Sequence, residues 1–235
     1  MALPKLETPT YELELPSTGE KVKYRPFLVK EQKNLMLASE SEDETQIQNA
    51  LANLISECTF GKIDPFEVPM FDIEFLFLRI RGKSVGEKIE LNVLCPDDNK
   101  TRTKITINLE DIDVHMDASH NNEIVVTDNI TIFMRYPTLK DITNVTTDSG
   151  DVNTIFTLIK KCVAEIHDEK TIHNRIDISE KEMEEFIDNL PSAIFETLGE
   201  FFNSMPKVQH PIKITNPKTK KKGEVIIEGI QSFFE

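Results

Sequence analysis

Alternating apolar and polar residues predict three β-hairpins along the chain. In each, two alternating runs flank a short stretch of turn-forming residues, as expected for antiparallel strands with one buried face. Between the second and third hairpins, two more such runs meet at Asp128-Asn129 and are expected to extend the sheet of the second hairpin. The hairpins cover residues 11–24, 89–109 and 212–227, with turns at 17–19, 96–99 and 216–223, and the additional strands cover 124–126 and 130–134.

Apolar residues at helical spacing predict six helices. Asp43 or Thr45 is placed to cap the second helix, and Ser179 with Glu182 forms a capping box before the fifth. The third helix is strongly apolar, is expected to lie in the core, and ends in a basic stretch at residues 79–82. The predicted helices run from about 29 to 39, 45 to 58, 71 to 82, 151 to 166, 180 to 190 and 192 to 204.

The order of these elements predicts an α+β fold, in which antiparallel hairpins are combined with helical segments. Residues 1–82 hold the first hairpin and helices, residues 83–137 are rich in strands, and residues 138–235 are helical and end in a hairpin and an apolar tail. A length of 235 residues suits either one elaborated domain or two small ones. No repeat of helical-array type is present, although the two long hairpins resemble each other in form.

Composition and charge exclude several classes of function. Hydrophobic residues make up 39% of the chain and charged residues 29%, so a folded, soluble protein is expected. The formal charge of -14 opposes contact with phosphates, which makes nucleic acid an unfavourable partner. No apolar run approaches the length of a membrane span, so no membrane insertion is expected. Residues 1–8 lack the pattern of a secretory signal, so we expect the protein to stay in the cytoplasm where it is made.

No constellation of residues predicts a catalytic, cofactor or metal site. The five histidines are scattered, and neither a phosphate-binding glycine loop nor a nucleophile elbow occurs. Cys95-Pro96-Asp97-Asp98 resembles half of a zinc knuckle, but the second cysteine is missing and a plain β-turn is the favoured interpretation. Cys58 and Cys162 lie on apolar helix faces and are expected to be reduced and packed in the core. The chain is therefore not expected to be an enzyme.

Two segments are candidates for contact with other proteins. Lysines 218 and 220–222 lie at the turn of the third hairpin, where they are either solvated or in contact with an acidic partner. Residues 230–234 are apolar, and they either pack against the last helices or are buried in a partner subunit.

Three segments together resemble the baseplate family of T-even-type, contractile-tailed phages. The first, DIEFLFLRIRGKSVGE from Asp72 to Glu87, is similar to that family's DIEYLF-like helix with an R-x-K-S-V-G-E ending, and it precedes a hairpin that contains Cys95-Pro96. The second is FFNSMPK from Phe201 to Lys207, and the third is EGIQSFF from Glu228 to Phe234. Their order also matches, and the resemblance covers most of the chain from about residue 20 onward.

The resemblance implies a protein that helps to build the central hub of the baseplate in the host cytoplasm, with other hub and tail proteins as partners. It implies no catalytic residues and no cofactor. A permanent structural subunit of the virion is the alternative within phage biology, and a tail-associated cell-wall hydrolase is the enzymatic alternative. The oligomeric state is left open. The candidate partner contacts are Arg79, Arg81, Lys83, Ile230, Phe233 and Phe234.

Overall fold

The computed structural model describes residues 7–41, 43–142 and 152–229, and it confirms the α+β class with antiparallel sheets. The helices are α1 (Val29–Glu40), α2 (Glu44–Cys58), α3 (Met70–Val85), α4 (Leu139–Ile142), α5 (Val152–Cys162), α6 (Glu180–Asp188) and α7 (Ser192–Ser204), with 3₁₀ turns at Leu109–Asp111 and Arg175–Asp177. The strands are β1 (Tyr11–Glu14), β2 (Lys21–Tyr24), β3 (Lys88–Leu94), β4 (Arg102–Asn108), β5 (Asp113–His115), β6 (Glu123–Thr127), β7 (Ile130–Met134), β8 (Val163–His167), β9 (Ile172–Asn174), β10 (Lys207–Thr215) and β11 (Lys222–Glu228).

The chain forms two compact units. The first contains the described residues up to His115 together with those from Lys207 onward, and the second contains residues 116–206. The segments predicted at 1–82, 83–137 and 138–235 divide the chain at other positions.

The first unit is built around α3. Its apolar side chains pack with those of α2 and of the β1–β2 hairpin, in which Tyr11 pairs with Tyr24. Asp43 caps α2, because its side chain accepts hydrogen bonds from the backbone N–H groups of Thr45 and Gln46. The same unit contains the β3–β4 hairpin and a three-stranded sheet in the order β11-β10-β5. All three predicted hairpins are confirmed.

The second unit consists of a four-stranded antiparallel sheet, in the order β6-β7-β8-β9, with α5, α6 and α7 packed against it. The capping box at Ser179 and Glu182 is confirmed at the start of α6. Pro191 is the N-cap residue of α7. The core of this unit therefore joins one face of the sheet to the apolar stripes of these helices.

Two of the sequence predictions are wrong in the second unit. The helix predicted to continue to residue 166 ends at Cys162, and Val163 begins β8. Apolar residues continue through this point at a spacing that also suits a helix, and pairing of β8 with β7 decides the conformation locally. The strands at 124–134 also do not extend the sheet of the second hairpin, since they share a sheet with β8 and β9 instead.

One local structure occurs twice along the chain, at Arg25 and at Arg135. Each arginine directly follows the second strand of a hairpin, which is β2 or β7. Each donates its backbone N–H to the carbonyl of a buried cysteine that ends a helix: Cys58 at 2.9 Å and Cys162 at 2.8 Å. The sequence places these residues at different spacings, so the match lies in the bonds that they form.

The guanidinium groups of Arg25 and Arg135 also form corresponding hydrogen bonds. Arg25 binds the carboxylate of Glu31 at 3.0 Å, and Arg135 binds that of Asp141 at 2.7 and 2.9 Å. Both acids lie six residues after their arginine. Each arginine also donates to the carbonyl of the next residue, and each carboxylate accepts the N–H of the residue three positions before it.

The order of elements is repeated as well. A hairpin is followed by two helices, the buried cysteine, a helix with an N-cap proline and a long hairpin, and in the second occurrence β8, β9 and α6 are inserted between the cysteine and the proline. Pro69 and Pro191 have nearly the same backbone angles, with φ -55° and ψ 145° against φ -57° and ψ 141°. We refer to residues 11–109 as the N-terminal copy and to residues 123–229 as the C-terminal copy.

The long hairpins of the two copies share their turn geometry. Cys95 and Asn216 each precede a proline, and the carbonyl of each accepts the N–H of the residue four positions later, at 3.0 and 2.9 Å. Those later residues, Asn99 and Lys220, both have positive φ, of 50° and 61°. The resemblance in form between these hairpins therefore extends to their hydrogen bonds.

Candidate interaction site

The basic end of α3 is the first candidate contact, and Arg79 lies there in a half-buried position. Its guanidinium donates to the carbonyl oxygens of Leu109 at 2.6 Å and of Ile112 at 2.8 Å. The ring of Phe75 lies 4.5 Å beneath it, in cation–π contact. Burial lowers the pKa of Arg79, and the neighbouring carboxylate of Asp113 opposes that shift. Arg79 therefore fixes the 3₁₀ turn after β4 to α3.

Lys83 lies one turn further along α3. Its ammonium group is 2.5 Å from carboxylate oxygens of both Glu110 and Glu87, and it lies 5.5 Å from the centre of the Tyr11 ring. The hydrogen bonds from Glu110 and then Glu87 raise the pKa of Lys83. Arg79 and Lys83, both on α3, therefore contact the same 3₁₀ turn.

Arg81 points to the other side of the helix end, where its guanidinium lies 3.5 Å from the carbonyl oxygen of Gly86. Burial lowers its pKa. For Arg79, Arg81 and Lys83, contact with a partner stays a prediction, and all three have intramolecular contacts in the first unit. Ile230, Phe233 and Phe234 lie outside the described residues.

Three large apolar side chains are exposed on one side of α1, among the charged side chains of Lys33 and Glu40, and sequence reasoning missed them. Val29 is 79% exposed and Met36 58% exposed, and Leu37 is exposed beside them. At about 100° per residue, these three lie on one side of α1, while Glu31 and Ala38 are buried on the opposite side. Large apolar side chains clustered at a surface are typical of protein interfaces. The helical spacing of apolar residues in this segment indicates a helix but does not tell a buried stripe from an exposed one.

The tips of the long hairpins are joined within the first unit. Asn216 is buried and donates through its side-chain amide to Asp97 at 2.7 Å and to Asp98 at 3.1 Å, while Thr219 donates to Asp97 at 2.5 Å. Hydrogen bonds from Asn216 and then Thr219 lower the pKa of Asp97. Those from Thr101 lower the pKa of Asp98. The Cys95-Pro96-Asp97-Asp98 turn therefore uses its carboxylates to hold the other hairpin.

The thiols and histidines are held by packing and local bonds. Burial raises the pKa of Cys58 to about 11 and that of Cys162 to about 12, so both are protonated at neutral pH. The ring of His120 is stacked on that of Tyr136 and tilted against that of Phe201, and it contacts the hydroxyl of Ser204 at 2.9 Å. Burial lowers the pKa of His120. Among the residues that the structure describes, no three His, Cys, Asp or Glu side chains are grouped to hold a metal ion. Within the same residues, no helix combines the length and apolar character of a membrane span.

The fold defines an α+β protein in which Arg25, Arg79 and Arg135 join separate elements of its own chain. The chain belongs to the family described as T4 bacteriophage base plate protein, whose model matches residues 8–235. Membership implies a place in the virion tail and contact with other phage tail proteins. Searches among curated proteins and among solved structures found no similar chain.

Proposed function

We propose that this phage baseplate protein is a hub assembly factor or hub component that acts through protein–protein contacts during contractile-tail morphogenesis in the host cytoplasm. The observation that carries the proposal is the family match over residues 8–235. The three segments at 72–87, 201–207 and 228–234, which resemble hub proteins of T-even-type phages, support the finer assignment.

The surface of α1 supports a function exerted through contacts. The rest of the first unit leaves the apolar side chains of Val29, Met36 and Leu37 exposed. Lys33 and Glu40 are exposed on the same side of α1, so a contact there would combine apolar burial with charged groups. A partner from the tail would bury these side chains on assembly.

The chemistry of the described residues supports a protein that acts without catalysis. A cysteine nucleophile needs a lowered pKa or an adjacent base, whereas burial raises the pKa of both Cys58 and Cys162 well above neutrality. The acids with lowered pKa, such as Asp97 and Asp98, are engaged with side chains of the neighbouring hairpin or of their own turn.

Co-purification of the tagged protein from infected cells tests the proposal. We expect hub and tail proteins to be recovered with the wild type, and to be reduced with the double variant Met36→Glu, Leu37→Glu, because charges on this face oppose burial. Ile176→Glu is the matched control, since Ile176 is exposed in the second unit. Recovery of no tail protein with the wild type would refute the assignment.

A permanent structural subunit of the baseplate is the second candidate, and the family match is compatible with both roles. Mass spectrometry of purified particles separates the two: stoichiometric presence supports the subunit, and absence from finished particles supports the assembly factor. A turbidity assay on cell walls tests the absence of catalysis, since clearance that depends on one carboxylate would identify a hydrolase.

A further inference from the structure

One edge of β10 is covered by a neighbouring strand over only part of its length. Near the base of the hairpin, β5 pairs with β10 at Lys207 to Gln209. Beyond Gln209, no strand of the described chain lies beside this edge. A groove of about 780 Å³ is found there, lined by residues 105–108 of β4 and 210–213 of β10. Four residues of β4 correspond to about 13 Å of extended chain, so the groove is long enough for a short strand.

The outer edge of β4, along this groove, has free backbone groups. The bonds of Leu109 to Glu87 and of Cys95 to Thr101 place the odd-numbered residues of β4 in the hydrogen-bonded pairs with β3. The backbone N–H and C=O of even-numbered residues such as Thr106 therefore point away from β3. Among the described strands, β4 pairs with β3 alone. An edge of this kind is a template for an added strand.

The edge of β10 along the same groove is a poorer template. The bonds at the two ends of the last hairpin involve Val208 and Asn216, so the even-numbered residues of β10 are the ones that bond to β11. Pro211 consequently occupies an outward-pointing position, where it has no N–H to donate. A strand that enters the groove can therefore form the fuller set of hydrogen bonds with β4.

The apolar side chains of the groove lie at alternate positions. Ile105 and Ile107 share one face of β4, and Ile212 of β10 also lines the groove. Because side chains alternate between the two faces of a sheet, every second residue of an added strand would lie beside one of the β4 isoleucines. The residues between them would share the opposite face with Thr106. The groove thus suits a segment that is apolar at alternate positions.

The charges of the groove differ in sign from those of the whole chain. Its charged lining residues are Lys88, Lys213 and Asp111, which give a net positive charge, whereas the chain carries a formal charge of -14. Lys88 and Lys213 are exposed, and neither takes part in an ion pair among the described residues. Lys104 is exposed on the same face of β4 as Thr106. Acidic side chains on an added strand would complement these lysines.

We propose that the outer edge of β4 binds an extended segment of another tail protein as an added β-strand, and that apolar and acidic residues alternate in this segment. The isoleucines contact its apolar side chains, and the lysines contact its acidic ones. β5 already forms a strand of this kind on the first three residues of β10, so the added strand continues a mode of pairing present in the fold. This contact deepens the proposed function, on which the choice of a tail protein rests.

Titration of the full-length protein with labelled synthetic peptides, followed by fluorescence anisotropy, tests the contact. The probe peptide has the sequence LEVEVEL, and its counterpart of opposite charge has the sequence LKVKVKL. Thr106→Pro removes the outward N–H at the centre of the β4 edge. Glu90→Pro is the matched control, because Glu90 pairs with Thr106 but lies on the opposite edge of the same hairpin. Circular dichroism verifies that each variant is folded.

We expect the wild type and Glu90→Pro to bind the acidic peptide with similar affinity, and Thr106→Pro to bind it about tenfold more weakly. The wild type should bind the basic peptide at least about tenfold more weakly than the acidic one. A wild type that binds neither peptide, or both equally, overturns the proposal. A Thr106→Pro variant that is folded and binds like the wild type excludes the β4 edge.

A charge reversal tests the lysines without a change of backbone. Lys88→Glu combined with Lys213→Glu should weaken binding of the acidic peptide about tenfold and strengthen that of the basic peptide. Lys23→Glu combined with Lys62→Glu is the control, because both lysines are exposed in the first unit and neither lines the groove. Equal effects of the two double variants would assign the preference to overall charge and overturn the proposal.

Sedimentation velocity without peptide tests a second copy of the chain as the occupant. Self-association that Thr106→Pro abolishes and Glu90→Pro preserves would identify the bound strand as part of the same chain, which overturns a contact with another protein. Peptide binding by the purified protein does not depend on which tail proteins are recovered from infected cells. Failure of this contact and failure of the hub assignment are therefore distinguishable.

Discussion

The same arginine network occurs in both copies, but its arginine is exposed to solvent to different extents. In the N-terminal copy the side chain of Arg25 is 10% exposed, and in the C-terminal copy that of Arg135 is 40% exposed, while both acids are buried. The neighbouring side chains also differ, since Pro26 and Leu28 stand where Tyr136 and Thr138 stand in the other copy. In both copies, the arginine after the strand still binds the carbonyl of the cysteine at the helix end and the carboxylate six residues further along the chain.

The copies also differ in the path of the chain beyond the buried cysteine. After Cys58 the chain reverses through Phe60 and Gly61, both with positive φ, and reaches the N-cap Pro69 within a short loop. After Cys162 it continues directly into β8 and adds β9 and α6 before Pro191. The network at the arginine therefore tolerates a large insertion, because its bonds reach the cysteine and residues just before it and not the residues beyond it.

The largest effect is expected from removing the two arginines in turn. Arg25→Met should lower the free energy of unfolding by about 3–5 kcal/mol, because the buried carboxylate of Glu31 loses its buried cationic partner and keeps only the exposed Lys30 and the Leu28 N–H. Arg135→Met should cost about 1–2 kcal/mol, since water reaches that pair more easily. Urea unfolding with hydrogen exchange in each unit measures both losses, and equal losses would contradict the comparison.

The next largest loss of stability is expected at the tips of the long hairpins, where Asn216 of the C-terminal copy corresponds to Cys95 of the N-terminal copy. Asn216→Ala should cost about 1–3 kcal/mol, because the buried amide also accepts the backbone N–H groups of Lys218 and Thr219. Thr215→Ala, at an exposed neighbouring position, is the control. Loss of cross-tip bonds should also accelerate amide exchange at Lys218 and Thr219, and unchanged exchange would count against this network.

Lowering the pH should weaken the arginine–carboxylate pair of each copy, and the loss should be measurable in each unit. Burial alone would raise the pKa of Glu31 and of Asp141, but hydrogen bonds from Arg25 and Arg135 and from nearby backbone N–H groups outweigh it, so both pKa values are lowered. Groups of this kind stabilise the fold above their unfolded pKa, and the contribution is lost as the pH falls through the folded pKa. For both groups the loss should begin as the pH falls below the ordinary pKa of the free carboxyl group and should grow toward lower pH. Glu31→Gln and Asp141→Asn should each flatten the acid limb of their own unit in chemical-denaturation curves.

The smallest effect is expected at Asp72, where the C-terminal copy has Ile194. Asp72 is buried at the start of α3 and accepts hydrogen bonds from the backbone N–H and hydroxyl of Ser17, yet burial raises its pKa. A raised carboxyl pKa destabilises the fold at neutral pH and ceases to do so as the pH falls. Asp72→Asn should therefore stabilise by about 1 kcal/mol at pH 7 and by nothing near pH 3. A gain that is independent of pH would exclude this cause.

The sequence predicts the elements whose pattern is local. All three hairpins and the helices at α1, α2, α3, α6 and α7 can be predicted from periodicity, capping residues and prolines. The strands β5, β8 and β9 could not be predicted, because each is short and exists through pairing with a strand that is distant along the chain or across a turn. Local propensity carries no information about such a partner.

The candidate site was predictable only in part. The basic end of α3 is evident from residue type, but its bonds to Leu109, Ile112 and Glu110 depend on how the chain returns after β4. The repeated arginine, proline and acid leave a signal in the sequence, at Arg25 to Glu31 and at Arg135 to Asp141. That signal is weak, because the prolines are shifted by one position and the insertion after Cys162 changes the spacing.

The bond between Asn216 and Asp97 joins residues that are 119 positions apart. During synthesis, residues 116–206 leave the ribosome as one continuous stretch and can fold before the last hairpin exists. The first unit must wait for that hairpin, and its loop closure is of the kind that slows folding. A nascent chain therefore completes residues 116–206 first, while the turn at Asp97 and Asp98 still lacks the Asn216 amide that binds it in the folded protein.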